Sequence, residues 1–387
     1  GLRVFISATG VRFSYGLQEA QIFLGFFYLL KASNMFKNST YLSIKYIVSL
    51  MRFSKSIPNY IKITDETYIG VKSESLPLKV IKGKKSLGRV LIMFPGASPK
   101  AEEHPSMHFL ASVLANIGFD VYIPRIPLLK ELNVLEENIP YLQKAYEEIL
   151  NRADVGKKLV SCMGVSYGGA LVLKASLAGS MAKNPPHSII TYGTIYDIQT
   201  GLDFLISGKI NIKGVEVKIK PHEWGMIVAL HNFLPNVDIG YDTKNIQRIL
   251  KLRVQDKNDD VDKELEALSK TEQELIQNIL DANITPEIKR IIDIVLKEKI
   301  DEFNGISPES WARKISNKVF IMHGANDDMV PYTQSIQLAE SIKESELFIS
   351  YLYEHNEIAP KHSFIHKFNE LRRLTCYIKS IIKHHEN

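Results

Sequence analysis

Cysteine is nearly absent: Cys162 and Cys376 are the pair in 387 residues. Two thiols so far apart define no disulfide framework. Cys162 sits in an apolar run, so a buried, reduced thiol in a reducing compartment is expected. A strong excess of one charge is lacking too. Lys and Arg number 48 against 43 Asp and Glu, a net charge of +5. No dense basic stripe with interleaved aromatics occurs, which argues against nucleic acid as a partner. There is no P-loop, no dinucleotide fingerprint, no internal repeat and no low-complexity segment. A spanning helix needs about 20 apolar residues. The charge-free stretch Ile22-Phe-Leu-Gly-Phe-Phe-Tyr-Leu-Leu30 falls short of that before Lys31. It has neither the basic start nor the small-residue cleavage site of a signal peptide. Residues 22–36 are expected to pack on the domain or a partner, with peripheral membrane contact as the alternative. The expected location is cytoplasmic.

What is present is a hydrophobic content of 45% and a charged content of 24%, ordinary for a globular chain. Residues 1–56 have amphipathic helical periodicity and are expected to form an N-terminal helical extension. Tyr60–Thr64, Thr67–Val71 and Leu76–Ile81 are short, β-rich and separated by turn residues, as in antiparallel strands. Arg89–Phe94 is a continuous apolar run, as in a strand buried on both faces. Strands and helices then alternate. Helices are expected over 106–117, 136–153 and 168–178, and strands over 119–123, 159–164 and 188–192. That alternation predicts a mostly parallel sheet flanked by helices, an α/β fold. Residues 201–316 show helical periodicity instead, and 318–323 and 347–353 resume the strands. A last helix is expected over 363–383. The predicted layout is therefore a core of 57–200 and 317–387, interrupted by a helical insertion at 201–316.

The chemistry-bearing stretch is Gly164-Val-Ser-Tyr-Gly168, which follows an apolar run and precedes a helical pattern. A serine on such a strand-to-helix turn projects its hydroxyl above the sheet edge. It needs an adjacent base to become a nucleophile. A positive helix end pointing at it favours developing negative charge. Ser166 is the candidate nucleophile, the alternative being an ordinary turn serine.

Two further features fit. His323-Gly-Ala-Asn-Asp-Asp-Met-Val-Pro331 directly follows a strand. A carboxylate there can hold an imidazole in one tautomer. Asp327 fits that role better than its neighbour Asp328, and Asp197, after an earlier strand, is a third choice. His323 itself reads as structural. The base is a histidine beyond the last strand. His355 is favoured by its position and His362 remains open. Two backbone N–H groups should form an oxyanion hole, from Tyr167 and from Ala97 in the loop after Arg89–Phe94. His104 and His108 stand one helical turn apart, but without the Glu of the metalloprotease pattern. Neither a metal nor a cofactor is expected.

Pro95-Gly96-Ala97, Gly164-Val-Ser-Tyr-Gly168, His323-Gly-x-x-Asp327-x-x-Val-Pro331 and the late histidine together resemble the α/β-hydrolase family, in its order Ser…Asp…His. The oxyanion loop departs from the usual His-Gly, and the histidine loop lacks its usual glycine. The resemblance implies a helical cap over the pocket and a serine hydrolase acting on a small-molecule carboxylic ester, with an acyl or lipid ester as candidates. Acyl transfer, thioester or amide cleavage on the same triad, or a non-catalytic binding role, are the alternatives.

Overall fold

A computed structural model describes residues 38–54, 56–212, 214–351 and 364–386. Its centre is an eight-stranded sheet. At one edge β1 (Lys62–Ile69) pairs antiparallel with β2 (Ser75–Lys82), and β2 pairs antiparallel with β4 (Phe119–Pro124). The rest is parallel: β4, β3 (Arg89–Phe94), β5 (Leu159–Val165), β6 (Ile189–Tyr192), β9 (Val319–Gly324) and β10 (Ser345–Ser350) follow in that order. The mostly parallel sheet expected from the alternation is present.

The three short strands expected over 60–81 are two longer ones. The polar Asp65-Glu66 read as a break, yet it runs through β1 in unbroken register, with Asp65 opposite Lys79. An edge strand can expose such residues to water on its open side. The true turn lies at Gly70–Glu74, where the Gly70 N–H donates to the Glu74 carbonyl at 2.8 Å and Ser73 takes a φ of 62°.

Apolar runs are continuous in the central strands because both sheet faces are covered. In β3, Val90, Ile92 and Phe94 point to one hydrophobic cluster, and Leu91 and Met93 to another. The second cluster is completed by α1 (Asn38–Phe53), α2 (Pro105–Asn116) and α13 (Phe364–His384). The first is completed by α3 (Ile139–Leu150), α4 (Tyr167–Ala175) and α12 (Thr333–Ser341). Cys162 is fully buried and free in that core, and burial pushes its thiol well up, while Cys376 is exposed.

Between β6 and β9 the chain leaves the sheet. It forms α5 (Ile198–Ser207), α6 (Glu223–Phe233), α7 (Lys244–Val254), α8 (Asn258–Glu266), α9 (Lys270–Leu280), α10 (Pro286–Glu298) and α11 (Ile300–Ile306). These helices share their own core, which includes Trp224, Phe233, Ile249, Ile276, Ile291 and Phe303. Helical periodicity across 201–316 misses one element. Lys209–Ile212 (β7) and Val215–Lys218 (β8) form an antiparallel hairpin, and Gly214 turns with a φ of 87°. Its apolar residues recur at period two, the strand spacing. Among the described residues no helix is long and apolar enough to cross a membrane. Residues 22–36 lie outside the described residues, as do His355 and His362.

Candidate active site

Ser166 joins β5 to α4 with φ 52° and ψ −129°. A non-glycine residue held there costs about 1–3 kcal/mol and persists only where its surroundings force it. The surroundings here do so by hydrogen bonds. The Ser166 N–H donates to the Tyr192 carbonyl at 2.6 Å. The Ser166 carbonyl accepts from the Gly169 N–H at 3.0 Å and from the Thr194 hydroxyl at 3.1 Å.

The glycines around it act by close approach, not by left-handed backbone. A Cβ on Gly164 would stand 2.5 Å from the Gly168 carbonyl oxygen. One on Gly168 would stand 2.3 Å from the Pro95 carbonyl oxygen, and one on Gly169 1.9 Å from Thr194 Oγ1. Only bare backbone lets β5, α4 and the loop after β3 meet so tightly. That contact brings Ala97 to the start of α4. The Tyr167 N–H is the first of α4 and has no acceptor within the helix.

The acid loop follows β9. Asp327 Oδ1 accepts the N–H groups of Met329 and Val330, each at 2.9 Å, so the loop's own backbone orients the carboxylate. Asp327 Oδ2 lies over Gly193, where a Cβ would stand 3.4 Å away. Gly193 adjoins Tyr192, the residue that accepts the Ser166 N–H. The serine and the acid are thus set against the same turn after β6.

The chain has the α/β-hydrolase fold.

What decides it is a strained serine on the turn from a central parallel strand into a helix, with an acid loop after a later strand of the sheet. A family model described as BD-FAE matches residues 258–342, a span that includes Asp327. No curated protein matches the chain. Among solved structures, it is similar to the uncomplexed acylaminoacyl peptidase of Pyrococcus horikoshii. The identity is 15% and the TM-score 0.46, over 86% of this chain and 42% of that one. The chain thus spans less than half the length of that peptidase. It is also similar to 2-hydroxy-6-oxo-6-phenylhexa-2,4-dienoate hydrolase from Rhodococcus sp. strain RHA1, at 15% identity and TM-score 0.41, over 75% of this chain and 90% of that one. An esterase from Exiguobacterium antarcticum is 13% identical at TM-score 0.41, over 82% of this chain and all of its own, 100%.

Within this hydrolase fold a cavity of about 170 Å³ opens at the carboxyl ends of β5, β6 and β9. Ser166, Tyr167, Ala97 and Asp327 all line it. Its other walls come from α5 and α6, through residues such as Leu202, Leu205, Trp224 and Phe233. No motif could have flagged those side chains, because buried apolar residues at helical spacing look alike whether they fill a core or face a cavity.

Other candidate residues are placed as follows. Asp328 also lines the cavity, and its carboxyl is pushed up to about 7, first by burial and then by the Asp327 charge. The Asp328 carbonyl accepts the His222 N–H at 2.9 Å, tying the acid loop to the start of α6. Asp197 caps α5, accepting from the N–H groups of Gln199 at 3.0 Å and Thr200 at 3.3 Å. His323 is buried. Its Nε2 donates to the Val330 carbonyl at 2.8 Å, and its Nδ1 then accepts from Ser335 Oγ at 2.6 Å. His104 Nδ1 caps α2 by accepting the Ser106 N–H, and His108 Nε2 donates to the Glu102 carbonyl at 2.7 Å.

Proposed function

We propose that this chain is a serine hydrolase that cleaves a carboxylic ester. The observation that carries the reading is Ser166 held in a strained conformation on the wall of a cavity it shares with Asp327. In this reading His355 Nε2 takes the Ser166 proton as Oγ attacks the ester carbonyl. The negative charge that develops on the carbonyl oxygen is met by the Ala97 and Tyr167 N–H groups. The imidazolium returns its proton to the leaving alcohol, and an acyl-serine remains. Water then attacks it, with His355 as base again, and the acid and free serine are released. Every proton is accounted for by one imidazole.

Asp327 suits the role of orienting acid better than Asp328. Its Oδ1 is held by two backbone amides, and its Oδ2, which has His323 Nε2 at 3.5 Å on one side, is the oxygen that would accept the imidazole Nδ1–H. A carboxyl pushed up to about 7, like that of Asp328, is partly neutral at physiological pH and stabilises an imidazolium poorly. Asp197 is occupied in capping. The helices between β6 and β9 act as a cap, since α5 and α6 supply much of the cavity wall. His355 is preferred to His362 because it stands nearer in the chain to the end of β10 at Ser350, and loops after strand ends deliver catalytic side chains.

The test is labelling with a fluorophosphonate probe alongside hydrolysis of p-nitrophenyl esters. The wild type should be labelled and Ser166→Ala should not. His355→Ala should abolish turnover while His362→Ala leaves most of it, and the reverse would exchange the two. A protein left unlabelled under conditions that label a known serine esterase would end this reading.

A further inference from the structure

We infer that the substrate's acyl group is neutral and apolar, a single ring or a chain of about six carbons, and is bound between α5 and α6; this rests on the ester-hydrolase reading above. The cavity is two-sided. Ser166, Asn326, Asp327 and Asp328 give one side its polar atoms. The other side is made by Leu202 and Leu205 of α5 and by Trp224, Val228, Ala229 and Phe233 of α6. An ester carbonyl set at Ser166 therefore directs one of its substituents among apolar side chains.

The acyl group is the substituent that suits this enclosure. It stays bonded to Ser166 through both half-reactions, whereas the alcohol must depart between them. The His222–Asp328 bond holds the Trp224 end of α6 beside the acid loop. Phe233 lies about 13 Å further along the axis at the helical rise per residue. An upper bound on size follows from volume: an apolar cavity of about 150 Å³ accommodates benzene, and the whole of this one, polar side included, measures about 170 Å³. Narrowing is built in at Gly225, where a Cβ would stand 2.6 Å from Leu205 Cδ2. Charge follows from the apolar wall. A free carboxylate carried among Leu202, Leu205 and Phe233 would lose its hydration, and no Lys or Arg is among the lining residues to meet it, so dicarboxylic half-esters should be poor substrates.

The experiment has a catalytic arm and a binding arm. In the first, kcat/KM is measured for p-nitrophenyl acetate, butyrate, hexanoate, octanoate and dodecanoate. It should rise about threefold to fourfold per methylene, the worth of burying each, and stop rising near hexanoate. p-Nitrophenyl hemiadipate should fall at least tenfold below hexanoate. Ala229→Leu should lower the hexanoate-to-acetate ratio at least tenfold. Should that variant not fold, as judged by circular dichroism, Val228→Phe reads the same ratio. In the second arm, Ser166→Ala is titrated with the same esters. The nitrophenyl group should quench Trp224 on the cavity wall more tightly for hexanoate than for acetate. Trp311 packs on the sheet instead and serves as the unquenched background.

The arms separate the two readings. Graded quenching without hydrolysis would keep the apolar subsite and remove the hydrolase. Hydrolysis that ignores acyl length, or follows alcohol length instead, would overturn the subsite and keep the hydrolase. Hydrolysis with an unchanged ratio in both wall variants would overturn the subsite as well. Neither hydrolysis nor quenching would overturn both.

Discussion

At the carboxyl ends of the parallel strands, Ser166 is bent into a left-handed conformation and two neighbouring carboxyls share a half-buried wall. At the amino ends, histidines crowd just as closely but every described ring nitrogen with a contact is matched. His187 Nε2 lies 2.9 Å from the His384 carbonyl, and His384 Nε2 3.1 Å from the His187 carbonyl. His385 contacts the Ile381 carbonyl through Nδ1 at 2.8 Å and Ser161 Oγ through Nε2 at 2.7 Å. The difference is instructive because residue type alone would rank the histidine cluster as the more reactive place. Geometry reverses that ranking. Strain and crowded like charges mark the end where the proposed chemistry would occur, while reciprocal hydrogen bonds mark the end that docks α13 onto the sheet.

The largest expected effect tests the strained end. Asp327→Asn should lower kcat by about 10³- to 10⁴-fold, because an amide cannot hold the imidazole in the working tautomer. Asp328→Asn should cost far less, and equal losses would mean that the acid is shared. Next comes Gly168→Ala. The added Cβ would meet the Pro95 carbonyl oxygen at 2.3 Å, a backbone atom that cannot step aside, and should destabilise the fold by about 3 kcal/mol in urea unfolding. Gly88→Ala is the useful contrast. Its Cβ meets nothing within 4 Å, so its cost should come only from the φ of 73°.

The quiet end is tested by acid. Burial, more than the neighbouring charges, lowers His385 to about 4, and it does the same at His104. A lowered imidazole means that the unfolded chain takes up protons which the folded one refuses. Stability from these groups is therefore intact above about pH 6.5 and declines as pH falls toward 4. At pH 5 the loss should be about 2 kcal/mol for each, read as a lower urea midpoint. Replacing His385 by Gln should remove its share of that decline, and an unchanged decline would show that the cluster is not its source. The smallest effect returns to the strained end. Ser166→Gly should abolish activity yet raise stability by about 1 kcal/mol, since glycine accepts the left-handed backbone freely. A drop in stability would mean that the turn is not strained.

Much of this was legible in the chain. Alternating strands and helices implied the parallel sheet, and Gly164-Val-Ser-Tyr-Gly168 placed a serine between β5 and α4. Legibility failed where a local pattern has two tertiary meanings. Asp65-Glu66 looked like a break because an edge strand may be as polar as a turn. The hairpin at Lys209–Lys218 was hidden within a long helical pattern, since strands of four residues carry little periodicity.

The amino-acid order by itself determined the order of elements and the place of Ser166 on the turn from β5 into α4, because both depend on short-range spacing and on what a β-turn-α junction permits. Tertiary structure alone decided which groups the serine meets. Asp327, Gly193 and the faces of α5 and α6 are distant in sequence and become neighbours only when β6 and β9 pair and the helices between them fold back over the strand ends. It decided, too, why the turn after Ser166 needs glycine at 168: not for freedom at the turn, but because the Pro95 carbonyl occupies the space a side chain would fill.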